Sequence, residues 1–517
     1  MKKKATHLFE LIQSMTMSEK RYFKIYCSRH VIGKRNKYLE LFDAIDRHGD
    51  SGTKKFKEKH GDLVKDRYSQ KAYLYQLILK SMDFYNAEDS IERKTGTRIG
   101  EAEYLFNKGL YEQCSILLVK AKDMGIKYQL YSKLKDILTI EINIMVATGT
   151  GDKGKISEEL IKLDTITTTI ETLRNYHERI HDFFTKWGDD VIRNKTLVKE
   201  LKHLVPHKLL AEDHKTLPFF RGQIRLLSLQ SAYFRMMRDW EHYYKISRLS
   251  VELLESQSAV FKTQNLAVYA SGLLSMLLGA LILRKDTAFI LTLKKLKSLP
   301  DQAGSRHRNF IDNVVFIGGG TAEIQFHNAH GTFEESAAIC KHTEKHLNTM
   351  NKMADENLTD LYYNMAVAWF GYGDHKKALF WLRRIEERRG ELRGDIGNLS
   401  RLLFIIIHYE LGNRESLEYY IRSIIRYLIK KERLFAFEKL LLQFFRSEAP
   451  KAKNNKEMIV LMRNVKTRIE KIFKDPAEQI FPNDLDIISW LESKIEDRPF
   501  AEVVRNKKNQ LLNFPST

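Results

Sequence analysis

The 517-residue chain has three cysteines and eight prolines. Cys27, Cys114 and Cys340 are far apart and odd in number, which excludes a disulfide framework and a paired-cysteine metal knuckle. Each is expected to be a small apolar filler in a reducing compartment, so the chain is read as cytoplasmic. No proline precedes Pro206 and none lies between Pro300 and Pro450. Proline inside a helix loses a hydrogen bond and clashes with the preceding turn, so these stretches permit near-continuous helix. The N-terminus, MKKKATHLFELIQSM, starts basic but lacks the apolar run and small-residue cleavage site of a secretory signal, so secretion is not expected.

Acidic residues are the scarcer charge: 66 Asp+Glu against 86 Lys+Arg leave a net charge of +20. Such an excess favours nucleic-acid or acidic partners. Here it is spread along the chain, with moderate enrichment near the N-terminus, as on a solvated basic surface. Hydrophobic residues make up 43%, enough for a folded interior, and 517 residues exceed what one compact core supports.

The segment Tyr362–Gly390 is the most informative. It reads as two amphipathic helices folded back to back across Gly371-Tyr372-Gly373-Asp374. Small Ala366 and Ala378 let the helices approach, while Trp369 and Leu382 fill the seam. Similar hairpins flank Gly109, Gly331 and Gly412. Weaker turns fall at Gly151-Asp152, near Asn194, at Arg238-Asp239 and at Lys285-Asp286, giving a spacing of about 43 residues. The offsets of Tyr362, Met365, Ala366, Trp369, Ala378, Leu382, Ile385 and Gly390 resemble the tetratricopeptide repeat, with a longer period that armadillo and HEAT pairs share. The resemblance implies an all-α solenoid of antiparallel helix pairs over residues 96–447, with a helical cap at each end.

Residues 1–95 read as four short helices, with Ser18 as an N-cap, forming a capping bundle or a small basic domain. Residues 448–517 form a C-terminal cap and tail. It holds a helix from Met458 to Phe473 and one more amphipathic helix, LDIISWLESKI, punctuated by Pro476, Pro482 and Pro499.

Three motifs invite other readings. His177-Glu178-Arg179-Ile180-His181 matches H-E-x-x-H, which on a helix places two histidines on one face for zinc and a glutamate to activate water. It resembles zincin metallopeptidases over these five residues, with Glu200 a possible third ligand. Arg179 sits between the ligands, no G-x-x-H follows, and an exposed helical face is the expected outcome. Gly149–Ile156 approaches the P-loop pattern, but Ile156 replaces the hydroxyl that would hold Mg²⁺, so an inter-helix turn is expected. Leu266–Leu283 is 18 residues without a charge and meets the length rule for a membrane span. It ends where the repeat needs a turn, so a helix buried on all sides is expected. Gly318-Gly319-Gly320 reads as a linker before a helix starting near Thr321.

By the resemblance, the chain is a non-enzymatic adaptor that needs no cofactor or metal and binds a protein or peptide along a concave face lined by first helices. The groove-facing positions would be Asp360, Tyr363, Val367 and Phe370, with Gln325 and Asn328 one repeat earlier. Phe370 or Tyr363 would be the anchor. The alternative is a nucleic-acid-associated regulator using Lys34, Arg35, Lys37, Lys54, Lys55 and Lys57, whose phosphate contacts would weaken steeply with salt.

Overall fold

A computed structural model describes residues 3–28, 36–48, 69–85, 90–303, 305–347, 358–387, 394–475, 478 and 485–512. Among them every regular element is helical and consecutive helices pack in neighbouring pairs. The chain divides into two compact units, Met1–Leu163 and Asp164–Thr517.

In the first unit, Lys3–Ser14, Met17–Ser28, Lys37–His48 and Ser69–Tyr85 surround a core of Leu8, Ile12, Phe23, Phe42, Ile45 and Ile78. Phe23 and Phe42 pack with ring centroids 4.6 Å apart. The second helix is capped by Thr16, not Ser18. Its hydroxyl accepts from the Glu19 N–H at 3.2 Å, while the Glu19 carboxylate accepts the Thr16 N–H at 2.7 Å. This reciprocal box satisfies two N–H groups that the helix cannot pair internally. Ile91–Asn107, Tyr111–Lys127 and Tyr131–Thr148 follow, closing a second core on Ala102, Cys114, Leu118, Ala121 and Leu138.

The second unit continues the pairing. Phe220–Met236 packs on Trp240–Glu255, Leu266–Ile282 on Asp286–Lys297, Leu358–Tyr372 on His375–Glu386, and Gly394–Glu410 on Arg414–Lys430. The Leu266–Ile282 helix is buried at Leu266, Tyr269, Gly272, Leu273, Leu277 and Leu281, but Ala267, Val268 and Ser271 are exposed on its opposite face, so it is not buried on all sides. No described helix is long and apolar enough to cross a membrane. Gly318-Gly319-Gly320 is no linker: Ser305–Val314 runs through a π-turn at Val315–Gly319 directly into Gly320–Ala329. Gly318 and Gly319 admit neighbours instead of breaking the chain. A Cβ on Gly318 would stand 2.7 Å from the Leu274 side chain.

Most hairpins share one turn. The residue after the helix takes a left-handed conformation and the next N–H reaches back five residues, satisfying an orphan carbonyl. Leu110 N–H bonds Leu105 O at 3.0 Å, Thr332 N–H bonds His327 O at 3.0 Å, and Asp374 N–H bonds Trp369 O at 2.9 Å. Gly109, Gly331, Gly373 and Gly412 supply the positive φ in four such turns. Gly371, read as part of the turn, is still helical. It lies against the buried Phe333 ring, which leaves no room for a Cβ.

Candidate functional site

Within the Asp164–Thr517 unit, two groups of side chains join segments remote in sequence. The first surrounds the last helix, Phe500–Leu512. Pro499 precedes it, where a missing N–H costs nothing, and Phe500, Val503 and Val504 form an apolar stripe at helical spacing. Val503 and Val504 are buried. The Phe500 ring lies 5.5 Å from that of Phe333 and 5.6 Å from that of Phe370.

Polar contacts set the register of this helix. Arg505 donates to the Gly331 carbonyl at 3.2 Å, with its guanidinium 3.7 Å from Glu334. Lys508 Nζ stands 3.1 Å from Asp286, which also faces His330 Nε2 at 2.9 Å. Burial alone would raise the Asp286 carboxyl, but the contacts from His330 and Lys508 outweigh it and hold the group below its ordinary range. Gly331 has φ +68, and a Cβ there would meet Ala501 O at 2.8 Å and Arg505 N at 2.9 Å. Only glycine lets the helix backbone settle on this turn. The face thus combines an aromatic slot, a backbone acceptor and two carboxylates, a set suited to a basic amphipathic helix.

The second group is a buried ionic cluster on the 3₁₀ turn Gly188–Arg193. Arg193 forks onto Glu438 at 2.6 and 2.7 Å, reaches Glu478 at 2.9 Å, and lies 4.0 Å over the Phe435 ring. Burial works against its charge, yet the Glu438 carboxylate outweighs that cost and keeps the guanidinium protonated. Asp190 is less well served. Asn398 Nδ2 is 3.1 Å away, Arg433 3.4 Å and Arg193 3.5 Å. Complete burial raises its carboxyl to about 7, with Arg193 and Arg433 opposing and Asp395 and Glu438 adding to the shift. Asp395 accepts the Asp189 N–H at 3.1 Å, and its carboxylate sits against the bare Cα of Gly188, whose φ is +62.

A raised acid binds its proton more tightly in the folded state, so folding gains from low pH and loses as pH rises from about 4 to 7. Asparagine at 190 cannot titrate. Between pH 5 and pH 8, Asp190→Asn is therefore expected to gain roughly 2 kcal/mol on the wild type. Urea unfolding of both proteins at the two pH values measures this, and parallel profiles would refute it.

Four of the six expected groove residues are interior. Tyr363 is 3% exposed, Val367 9%, Phe370 6% and Asn328 5%. Asn328 donates to Asn364 O at 3.1 Å and accepts from Ser336 at 2.8 Å, tying neighbouring pairs together. Asp360 and Gln325 are half-buried. A peptide would reach the four only by displacing the chain's own helices. Phe370 does meet a docked helix, but that helix is Phe500–Leu512, which the sequence reading passed over. The stripe after Pro499 was the available signal.

His177 is half-buried and His181 exposed, while the exposed Glu178 pairs with Arg174 at 3.5 Å. Glu200 is exposed on Lys195–Leu204. Among the described residues no group of three or more His, Cys, Asp or Glu could hold a metal ion. At Gly149–Ile156 the helix N-terminus, where a phosphate would sit, is capped by Asp152, which accepts the Lys155 N–H at 3.1 Å. Lys37 is exposed at the start of its helix, whereas Lys34, Arg35, Lys54, Lys55, Lys57 and Gly390 lie outside the described residues. Comparison with protein-family models, curated proteins and solved structures gives no match to this chain.

Proposed function

We propose that this chain is a non-enzymatic helical scaffold, an adaptor built of tetratricopeptide-like helix pairs that binds a helix or peptide of another protein. The observation that carries the reading is the face around Phe333 and Phe370, which already holds an amphipathic helix through an aromatic contact, a backbone acceptor and two charge pairs. Helix-in-groove recognition uses this chemistry, with apolar anchors at helical spacing and charges fixing the register.

The reading is tested by affinity capture of the full-length chain from its own cells, followed by reconstitution with each captured protein purified separately. A partner that binds the purified chain one to one, with no added metal or nucleotide, is the expected result. Should none of the captured proteins bind the purified chain, the scaffold reading fails.

A further inference from the structure

We propose that the face made by Asp286, the Gly331 turn, Phe333, Glu334 and Phe370 is a docking site for a basic amphipathic helix of a partner protein, and that the chain's own Phe500–Leu512 occupies it until displaced. This rests on the scaffold reading and names its partner. The required helix carries an aromatic residue at its start, β-branched residues three and four positions on, and cations five and eight positions on, the pattern of Phe500, Val503, Val504, Arg505 and Lys508.

The resident helix is held in a way that permits exchange. Of its two charged contacts on this face, Arg505–Glu334 is solvated, with side chains 48% and 65% exposed, and holds the helix only weakly, whereas Lys508–Asp286 is the more buried at 11% and 28%. Among its described side chains, the large apolar ones that pack are two buried valines and one half-buried phenylalanine. The short link after Ile495 adds to these contacts by presenting the helix at an effective concentration in roughly the millimolar range. A partner helix must therefore fill the aromatic slot more deeply or reach the acidic pair better than the tethered copy.

The face is also specific. Gly331 permits the backbone of a docked helix to come within contact of the turn, since a Cβ at that position would strike Ala501 O and Arg505 N. Asp286 and Glu334 repel an acidic helix at the positions where Arg505 and Lys508 sit.

The test uses the full-length chain and a fluorescent synthetic peptide of residues 498–512 as probe, read by anisotropy. Arg505→Glu with Lys508→Glu loosens the resident helix and leaves the face intact. This variant is expected to bind the probe about tenfold more tightly than the wild type. Adding Asp286→Lys to that variant re-pairs the resident helix and repels the probe's own lysine, so affinity should return towards the wild-type value. Tryptophan fluorescence reports that each variant is folded, because Trp187, Trp240, Trp369, Trp381 and Trp490 all lie in this unit. Equal probe binding by the wild type and the loosened variant, or binding indifferent to Asp286→Lys, overturns the inference. A captured partner that bound wild type and loosened variant equally would overturn it too, while leaving the scaffold reading standing.

Discussion

Replacing Arg193 with alanine is expected to destabilise the Asp164–Thr517 unit by about 3–5 kcal/mol, the cost of leaving a buried charge without its partner. The guanidinium serves Glu438, Glu478 and Asp190 together, and the side chains of Arg193 and Glu438 are 3% and 1% exposed. Removal leaves Glu438 with neither water nor a cation, so it must take up a proton or open the structure. The turn it sits on, Gly188–Arg193, would also lose its hold on a segment 245 residues further along the chain. The pair itself is not worth that much, since desolvating two ions offsets most of their attraction. Arg193→Met combined with Glu438→Leu should therefore recover a large part of the loss. Urea unfolding followed by tryptophan fluorescence measures both, and a single variant as stable as the wild type would show the cluster to be solvated.

The second large effect is expected at Trp369. Its side chain is 1% exposed at the centre of the largest core, with Lys377 Nζ 4.0 Å over the ring and Tyr372 edge-on at 5.7 Å. Trp369→Ala empties a cavity that close-packed helices cannot collapse to fill, at about 3–5 kcal/mol. Trp369→Phe should cost no more than about half as much. Among the described residues the buried indole N–H has no acceptor, so losing it is expected to carry no hydrogen-bond penalty, and a phenyl ring still faces the lysine. If the two variants proved equally damaging, the N–H would have a partner after all. Thermal unfolding with the same fluorescence signal from the remaining tryptophans decides it.

Much of the helical pairing was legible in the sequence, and the turns explain why. Where glycine supplies the left-handed residue, at 109, 331, 373 and 412, the hairpin could be read directly. Elsewhere Gln129, Arg238, Arg284, Glu432 and Asp497 take the same positive φ with ordinary side chains. Such a residue accepts the conformation only because the helices on either side are packed, and nothing in its own chemistry announces it. Gln129 was missed entirely for that reason. The weaker turns read at Arg238-Asp239 and Lys285-Asp286 fall on Arg238 and beside Arg284. Gly318-Gly319-Gly320 misled in the opposite sense: glycine signals either a break or a close approach, and only the neighbouring Leu274 and Leu296 show which.

Tyr363, Val367 and Phe370 are interior for a related reason. Periodicity distinguishes the strongly apolar side of a helix from the rest, but Leu358–Tyr372 is apolar nearly all round, so every face has a candidate partner. The sequence by itself determined that this chain is helical, that its helices pair across short turns, and which side chains fill the seam at Trp369 and Leu382. Tertiary structure decided what covers the outer sides of those pairs. Gly188–Arg193 and Phe500–Leu512 come to them from far along the chain, and ion pairs such as Arg193 with Glu438, or Lys508 with Asp286, leave no spacing that local periodicity could reveal. Their energy depends on burial and geometry that exist only once the chain has closed on itself.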